Sequence, residues 1–291
     1  MQKASHFEDL TDLKPLKGLK ICDMSSRLPG PMATNFLLSL GASVTKVELE
    51  ADGDPFSHEE IKKVEPLFYH WYENLNEKKV IQKIPTIDAL LQDEYDLLII
   101  NPHKKIDLSK ITKPALIIKA SKSGTPLHDL NALMLARAFR FYGEADQDDL
   151  PFLPFAGVSF AQSIALAALS LLISKEKGLV EIYMDQEVKR VFDQLVPTEH
   201  VVKSRYLHNG AFPCYQIYKL TDGLLGVACV EEKFWVRFCE GLELNALDAF
   251  DRSGEAIKKI QNTVSSMETY QIRQLFGADK LPLSVYKKGH L

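Results

Sequence analysis

The sequence lacks the spacing patterns that mark the commonest metal, disulfide and dinucleotide sites. Its four cysteines are Cys22, Cys214, Cys229 and Cys239, and no two of them form a C-x-x-C pair. This spacing argues against a zinc site and against a disulfide framework. The first predicted βα unit has no G-x-G-x-x-G segment, which argues against a nicotinamide site. We therefore predict no metal centre.

Charge of one sign is not in excess, and no secretory leader is visible. The chain has 35 Lys and Arg against 39 Asp and Glu, a net charge of −4. That balance predicts no nucleic-acid partner. The segment from Met1 to Lys17 is polar and contains Glu8, Asp9 and Asp12, unlike a signal peptide. We expect a cytoplasmic protein.

One long apolar run, Phe155 to Ile173, approaches the length that spans a membrane. It contains Ser159 and Gln162 and is rich in alanine, and such small residues suit close packing between helices. We predict a buried helix of a globular domain and no membrane partner. A membrane span is the alternative.

The N-terminal part of the chain predicts a parallel sheet. A strand, a helix and a second strand follow one another at Leu19–Cys22, Met32–Leu40 and Ala42–Glu48. This βαβ order is typical of α/β domains. Residues 96–101 and 115–119 are further buried strands. We predict a Rossmann-like α/β large domain over residues 1–196.

The pattern changes after a predicted linker at Pro197–Gly210. Two strands flank Thr221-Asp222-Gly223, which is a hairpin signal. Three helices are predicted after them, near 231–241, 254–262 and 268–276. We predict a smaller α+β domain over residues 210–291.

His128 and Asp129 are the first candidate site residues. They follow the turn Ser123–Pro126 and open a helix whose body is apolar. A helix N-terminus carries partial positive charge and favours a carboxylate or a bound anion. Asp129 as a simple N-cap, with His128 as a surface histidine, is the alternative.

The loop after the first strand is the second candidate. Ser25, Ser26 and Arg27 lie at the carboxyl end of that strand, where α/β sheets bind ligands. Arg27 is suited to hold phosphate, and a solvated loop charge is the alternative.

Several segments together resemble the class III CoA-transferase family. Residues 15–25, 29–33 and 40–48 are similar to its N-terminal signature, and residues 215–235 to the start of its small domain. His128-Asp129-Leu130-Asn131 is similar to the α-methylacyl-CoA racemase branch of that family.

The resemblance implies an acyl-CoA thioester as substrate, no permanently bound cofactor and a homodimer. In the racemase branch the His and Asp move the α-proton of a 2-methylacyl-CoA, and a Glu partners the Asp. This implies His128, Asp129 and Glu231 as catalytic residues. It also implies CoA binding by Ser26, Arg27, Lys78 and Lys79.

Two other functions stay open. A CoA-transferase would use Asp129 as the nucleophile that carries the acyl group. A catalytically degenerate binding protein is the third possibility, because the racemase branch pairs its His with an Asp near the start of the alanine-rich helix. Residues 151–163 contain no carboxylate.

Overall fold

The computed structural model describes residues 12–90, 94–102, 107–138, 153–174, 178–195, 207–244, 247–277 and 280–288. These residues divide into two compact units. The first contains residues 12–138 and 153–195, and the second contains residues 207–288. Most of the predicted linker, residues 197–206, lies outside the described residues. The domain bounds 1–196 and 210–291 stay predictions.

The first unit is built on a six-stranded sheet in which all neighbours are parallel. Its strands are β1 (Lys20–Met24), β2 (Ser43–Leu49), β3 (Val80–Ile84), β4 (Leu97–Ile100), β5 (Ala115–Lys119) and β6 (Leu179–Tyr183). Their order is β3-β2-β1-β4-β5-β6. The predicted Rossmann-like α/β class is confirmed. Strand order reverses between β1 and β4, and α/β sheets bind ligands at such a point.

The helices of the first unit connect these strands and cover the sheet. They are α1 (Pro29–Ser39), α2 (Glu59–Val64), α3 (Pro66–Asn76), α4 (Ile87–Leu90), α5 (Asp129–Leu135), α6 (Phe155–Ser174) and α7 (Met184–Asp193). Strand β4 is buried along its whole length, which its uninterrupted Leu-Leu-Ile-Ile sequence predicts.

Helix α6 is the predicted alanine-rich helix. It is long and apolar enough to cross a membrane by length and composition, and half of its most apolar window is buried. It packs against α1, α5 and α7. Gly157, Ala161, Ala165 and Ala168 are among its buried residues, and such small side chains allow close helix approach. This packing supports the prediction of a buried helix.

The second unit has a three-stranded antiparallel sheet in the order β7-β8-β9. Its elements are β7 (Tyr215–Lys219), β8 (Gly223–Ala228), α8 (Glu232–Gly241), α9 (Glu255–Val264), α10 (Thr269–Phe276) and β9 (Leu283–Lys287). The core of this unit contains Tyr218, Trp235, Phe238 and Ile260. Gly223 is required in the hairpin because a Cβ there would lie 2.0 Å from the Tyr286 carbonyl oxygen.

Four elements, β3, α2, α3 and β9, were not predicted. Helix α3 buries only Leu75 and Asn76. Strand β3 lies at the sheet edge, and only Ile84 of its five residues is buried. Helix α2 has no buried residue. Strand β9 has none that is fully buried either. Elements that bury at most one apolar residue have no apolar periodicity to recognise.

Two ion pairs are buried at the carboxyl ends of β1 and β2. The Lys79 ammonium lies 3.0 Å from Asp23 Oδ2, and the Lys46 ammonium lies 3.1 Å from Asp54 Oδ2. All four side chains are at most 1% exposed. Burial alone would raise the pKa of Asp23. The charges of Lys79 and Lys46 and the hydroxyls of Ser25 and Thr34 outweigh it and lower that pKa to about 2.

Replacement of Lys79 by Met should destabilise the first unit by about 3–5 kcal/mol, because the Asp23 carboxylate would lose its ion-pair partner and stay buried. Lys78→Met is the matched control, since the neighbouring Lys78 is exposed, and a change within about 0.5 kcal/mol is expected. Urea denaturation measures both.

The contribution of the Asp23 carboxylate to stability depends on pH. The folded-state pKa of Asp23 lies below the unfolded value of about 3.9. Its contribution to stability is therefore present above about pH 4 and is lost as the pH falls toward 2. Equal stability of Lys79→Met and Lys78→Met at neutral pH would contradict this assignment.

Candidate active site

A cavity of about 1210 Å³ opens at the carboxyl edge of the parallel sheet. The loops that follow β1, β2, β4 and β5 line it, together with the first turn of α6. It exceeds the size range typical of pockets for drug-sized ligands. Its position at the reversal of strand order is the one that α/β sheets use for ligands.

The loop after β1 is fixed by backbone hydrogen bonds. The Ser26 N–H donates to Asn101 Oδ1 at 2.8 Å, which joins the loops that follow β1 and β4. The Arg27 N–H donates to both carboxylate oxygens of Asp54 at 3.1 Å. Arg27 has a φ of 65°, an uncommon backbone conformation for a residue with a side chain. Both predicted CoA-binding residues of this loop, Ser26 and Arg27, line the cavity.

His128 and Asp129 line the same cavity. His128 is the N-cap residue of α5, with an extended backbone and no side-chain hydrogen bond to the helix. Its ring is exposed, whereas Asp129 is half-buried. The structure therefore brings His128, Asp129, Ser26 and Arg27 to one cavity.

The Asp129 carboxylate is anchored to the start of α6. The Gly157 N–H donates to Asp129 Oδ1 at 2.6 Å, and the Ala156 N–H also donates to this carboxylate. A Cβ at Gly157 would lie 3.0 Å from Leu28 Cδ2 and 3.5 Å from Asp129 Oδ1, so a glycine suits this close approach. The resemblance expects a second carboxylate near the start of this helix. In this chain Asp129 places its own carboxylate there.

Burial raises the pKa of Asp129, and the two backbone hydrogen bonds from Gly157 and Ala156 act in the opposite direction. Desolvation is the larger effect. A carboxylate that is costly to ionise is a stronger base than one in water. Such a group is suited to take a proton or to attack a carbonyl carbon.

The other predicted site residues are not in the lining of this cavity. Glu231 is the N-cap residue of α8 in the second unit, and its partnership with Asp129 stays a prediction. Lys78 is exposed. The Lys79 ammonium is enclosed by Asp23, the Pro31 carbonyl and Asn76, and this geometry does not support its prediction as a CoA ligand.

An aromatic cluster on one side of the cavity was not predicted. Phe56, Phe68 and Trp71, here called the aromatic wall, all line the cavity. The rings of Phe56 and Phe68 stack with centroids 4.7 Å apart and an interplanar angle of 5°, and Trp71 lies 5.4 Å from Phe68. The sequence shows the three aromatic residues, but their meeting depends on how the loop after β2 folds against α3.

Within the part of the chain that the structure describes, no three His, Cys, Asp or Glu side chains are grouped so as to hold a metal ion. The four cysteines are buried thiols that form no disulfide.

Two sequence comparisons point to one family. The sequence model of CoA-transferase family III matches residues 16–80. Over 46 residues the chain is 50% identical to human succinyl-CoA:glutarate CoA-transferase. That stretch makes up 16% of this chain and 10% of the human protein.

The first match shows that the N-terminal part of the chain is similar to CoA-transferase family III, and the second is to a protein named as a CoA-transferase. The segment matched by the family model contains the Arg27 loop and both buried ion pairs. It ends before β4, so His128, Asp129 and Gly157 lie outside it.

Solved structures share the fold over nearly the whole chain. A CAIB/BAIF family protein from Brucella suis is similar with a TM-score of 0.67 and 14% identity, over 93% of this chain and 83% of that chain. A hypothetical protein from Mycobacterium tuberculosis is similar with a TM-score of 0.65 and 18% identity, over 94% of this chain and 85% of that chain.

Replacement of Asp129 by Asn should not lower the thermal stability and should raise it at neutral pH. The amide oxygen can still accept the Gly157 N–H, and the cost of burying a charge is removed. A carboxyl whose folded-state pKa is raised costs stability once it ionises, so the gain should close as the pH falls toward about 3.9. Thermal melting curves of the wild-type protein and of Asp129→Asn, recorded from pH 7 to pH 4, measure this difference in stability.

Asp107→Asn is the matched control for this experiment. Hydrogen bonds from Ser109 lower the pKa of the exposed Asp107. The ionised Asp107 carboxylate therefore stabilises the fold, and Asp107→Asn should be less stable than the wild-type protein at neutral pH. If the wild-type protein is more stable than Asp129→Asn at pH 7, burial of the ionised Asp129 carboxylate does not destabilise the fold.

Proposed function

We propose that the first unit binds a CoA thioester and acts on its acyl group with His128 and Asp129. The observation that carries this proposal is the half-buried Asp129 carboxylate, anchored by the Gly157 N–H inside a large cavity and next to the exposed His128. The family match over residues 16–80 supports acyl-CoA chemistry.

CoA carries several phosphate charges, which need cations at the cavity. Arg27 and Lys122 are exposed cations of its lining. Arg27 can bind phosphate oxygens through two parallel N–H groups. Its backbone is held by Asp54, so the start of its side chain is fixed before a ligand arrives. Ser26 offers a hydroxyl beside it.

The first candidate reaction is racemisation of a 2-methylacyl-CoA. One base removes the proton from the α-carbon, and the electron pair of the C–H bond passes into an enolate of the thioester. The other group then returns a proton to the opposite face. His128 and Asp129 are adjacent at the start of α5 and line one cavity. Among the described residues no hydrogen bond to the His128 ring competes with this role.

The second candidate is CoA transfer. The curated relative is named a CoA-transferase, and a nucleophilic carboxylate must be both held in place and accessible, as Asp129 is. An Asp129 oxygen would attack the thioester carbonyl carbon and displace the CoA thiolate, which leaves an acyl anhydride on Asp129. The thiolate would then attack the Asp129 carboxyl carbon, which releases the first acid and leaves a CoA thioester on Asp129. The carboxylate of the acceptor acid would attack that thioester to give a second anhydride. The released thiolate would then attack its acyl carbon, which forms the new acyl-CoA and restores the Asp129 carboxylate.

Deuterium exchange and hydroxylamine trapping separate the two reactions. In deuterated water a racemase replaces the α-proton of 2-methylacyl-CoA, and either His128→Ala or Asp129→Asn should reduce that exchange by at least about 100-fold. A transferase should instead yield a hydroxamate on Asp129 after acyl-CoA and hydroxylamine are added, and His128→Ala should keep its activity.

His70→Ala is the matched control for His128→Ala, because His70 is an exposed histidine on α3. Wild-type protein that binds several acyl-CoAs, yet shows neither exchange nor trapping, would contradict both reactions and leave a binding protein. The roles of Glu231 and of a homodimer belong to this proposal as family expectations.

A further inference from the structure

Lys122 is an exposed amine of the cavity wall, and neither proposed reaction uses it as a nucleophile. It lines the cavity together with Lys46 and Lys119. The Lys46 ammonium is buried 3.1 Å from Asp54 Oδ2, and the Lys119 ammonium is paired with Glu181. Among the described residues the Lys122 side chain has no ion-pair or hydrogen-bond partner. Of the lysines in the described lining, Lys122 is therefore the one whose nitrogen is open to react with a ligand.

The backbone around Lys122 is held in a closed turn. Ser121 Oγ donates to the Thr125 carbonyl oxygen at 2.8 Å, and the Ser123 and Thr125 hydroxyls lie 2.9 Å apart. The Gly124 N–H donates to the Ser121 carbonyl oxygen. Because both ends of the turn are joined, the start of the Lys122 side chain has a fixed place at the cavity wall, and its flexible four-carbon stem carries the amine into the cavity.

This turn lies on the same connection as Asp129. Lys122 and Asp129 both belong to the chain that leads from β5 into α5, whereas Arg27 follows β1. Strands β1 and β5 are two positions apart in the sheet, which amounts to about 10 Å. An acyl-CoA that extends from phosphate contacts at Arg27 to a thioester at Asp129 therefore brings its thioester to the side of the cavity on which Lys122 lies.

A lysine amine beside a bound thioester has a reaction of its own. The neutral nitrogen attacks the thioester carbonyl carbon, so that a C–N bond forms and the C–S bond breaks. CoA leaves as a thiolate, and the proton that the nitrogen loses converts it to the thiol. A thioester held in the cavity reacts as if it were present at a high effective concentration. A lysine elsewhere on the surface meets only the acyl-CoA that is free in solution.

We propose that Lys122 is a self-acylation site, and that an acyl-CoA bound in the cavity transfers its acyl group to the Lys122 nitrogen. This inference rests on the proposed acyl-CoA function. The amide that forms removes the positive charge of Lys122 and leaves the acyl group at the cavity wall. The modification therefore opposes the binding of a further acyl-CoA.

Mass spectrometry after incubation with acetyl-CoA tests the proposal. The acetyl group carries deuterium, which distinguishes it from any acetyl group acquired during expression, and the pH is mildly alkaline because an amine attacks without its proton. Lys122 should be acetylated at least about tenfold faster than Lys63. The rate at Lys122 should level off as the acetyl-CoA concentration rises, and an excess of free CoA should suppress it, because both ligands compete for one cavity.

Lys63 is the matched control, because it is exposed on α2, is not in the cavity lining and has no ion-pair partner among the described residues. Its acetylation should rise in proportion to the acetyl-CoA concentration and should not respond to free CoA. Lys122→Arg keeps the positive charge but has no amine that can be acylated. In this variant the saturable incorporation should be absent, whereas the rate at Lys63 should not change.

The other outcomes overturn the proposal in distinguishable ways, and calorimetric titration with acetyl-CoA separates them. If acetyl-CoA binds and Lys122 is acetylated no faster than Lys63, self-acylation is wrong while the acyl-CoA function stands. A fast rate at Lys122 that neither saturates nor responds to free CoA would reveal an amine that is reactive without a bound thioester, and it would also contradict the proposal. If acetyl-CoA does not bind, self-acylation and the acyl-CoA function are both wrong.

Discussion

Two buried ion pairs hold together the edge of the sheet at which the cavity forms. Asp23 and Lys79 join the end of β1 to the chain that follows α3, and Lys46 and Asp54 join β2 to the loop after it. Asp54 also accepts the Arg27 N–H. Because a buried charge that loses its partner is strongly destabilising, the loops after β1 and β2 are held in one arrangement, and the cavity takes its shape from them.

The second constraint is the contact between Asp129 and the first turn of α6. Residues 155–163 at the start of this helix contain no carboxylate, and Gly157 lies in its first turn. The glycine gives the Asp129 carboxylate room to approach the helix, and its N–H holds one oxygen. One carboxylate is therefore attached to two helix N-termini, those of α5 and α6. This arrangement suits a single residue that must be both oriented and reactive.

The sequence predicted those parts of the fold that bury apolar residues at regular spacing. The βαβ start and β5 over Ala115–Lys119 were predictable because each strand contains several apolar residues that the fold buries. Strand β3 and helix α2 were not, since they bury one residue or none. The position of Arg27 and His128 in the cavity lining could be predicted, because each residue lies at the end of a strand or the start of a helix, where ligands bind.

The parts of the site that depend on distant residues could not be predicted. Lys79 was predicted as a CoA ligand because the resemblance implies that the Lys78-Lys79 pair binds CoA. Its ammonium lies inside the fold beside Asp23, which is 56 positions away in sequence. The Asp129–Gly157 contact spans 28 positions, and the aromatic wall needs the loop after β2 to meet α3. A local pattern carries no information on such contacts.

A crystal structure with a non-hydrolysable acyl-CoA analogue, in which a methylene group separates the sulfur from the carbonyl, tests the central claim most directly. Our account predicts that the analogue fills the cavity, with its carbonyl carbon or α-carbon within about 3.5 Å of the Asp129 carboxylate or the His128 ring. An analogue bound outside this cavity, or bound inside it with its acyl group turned away from both residues, would contradict the account.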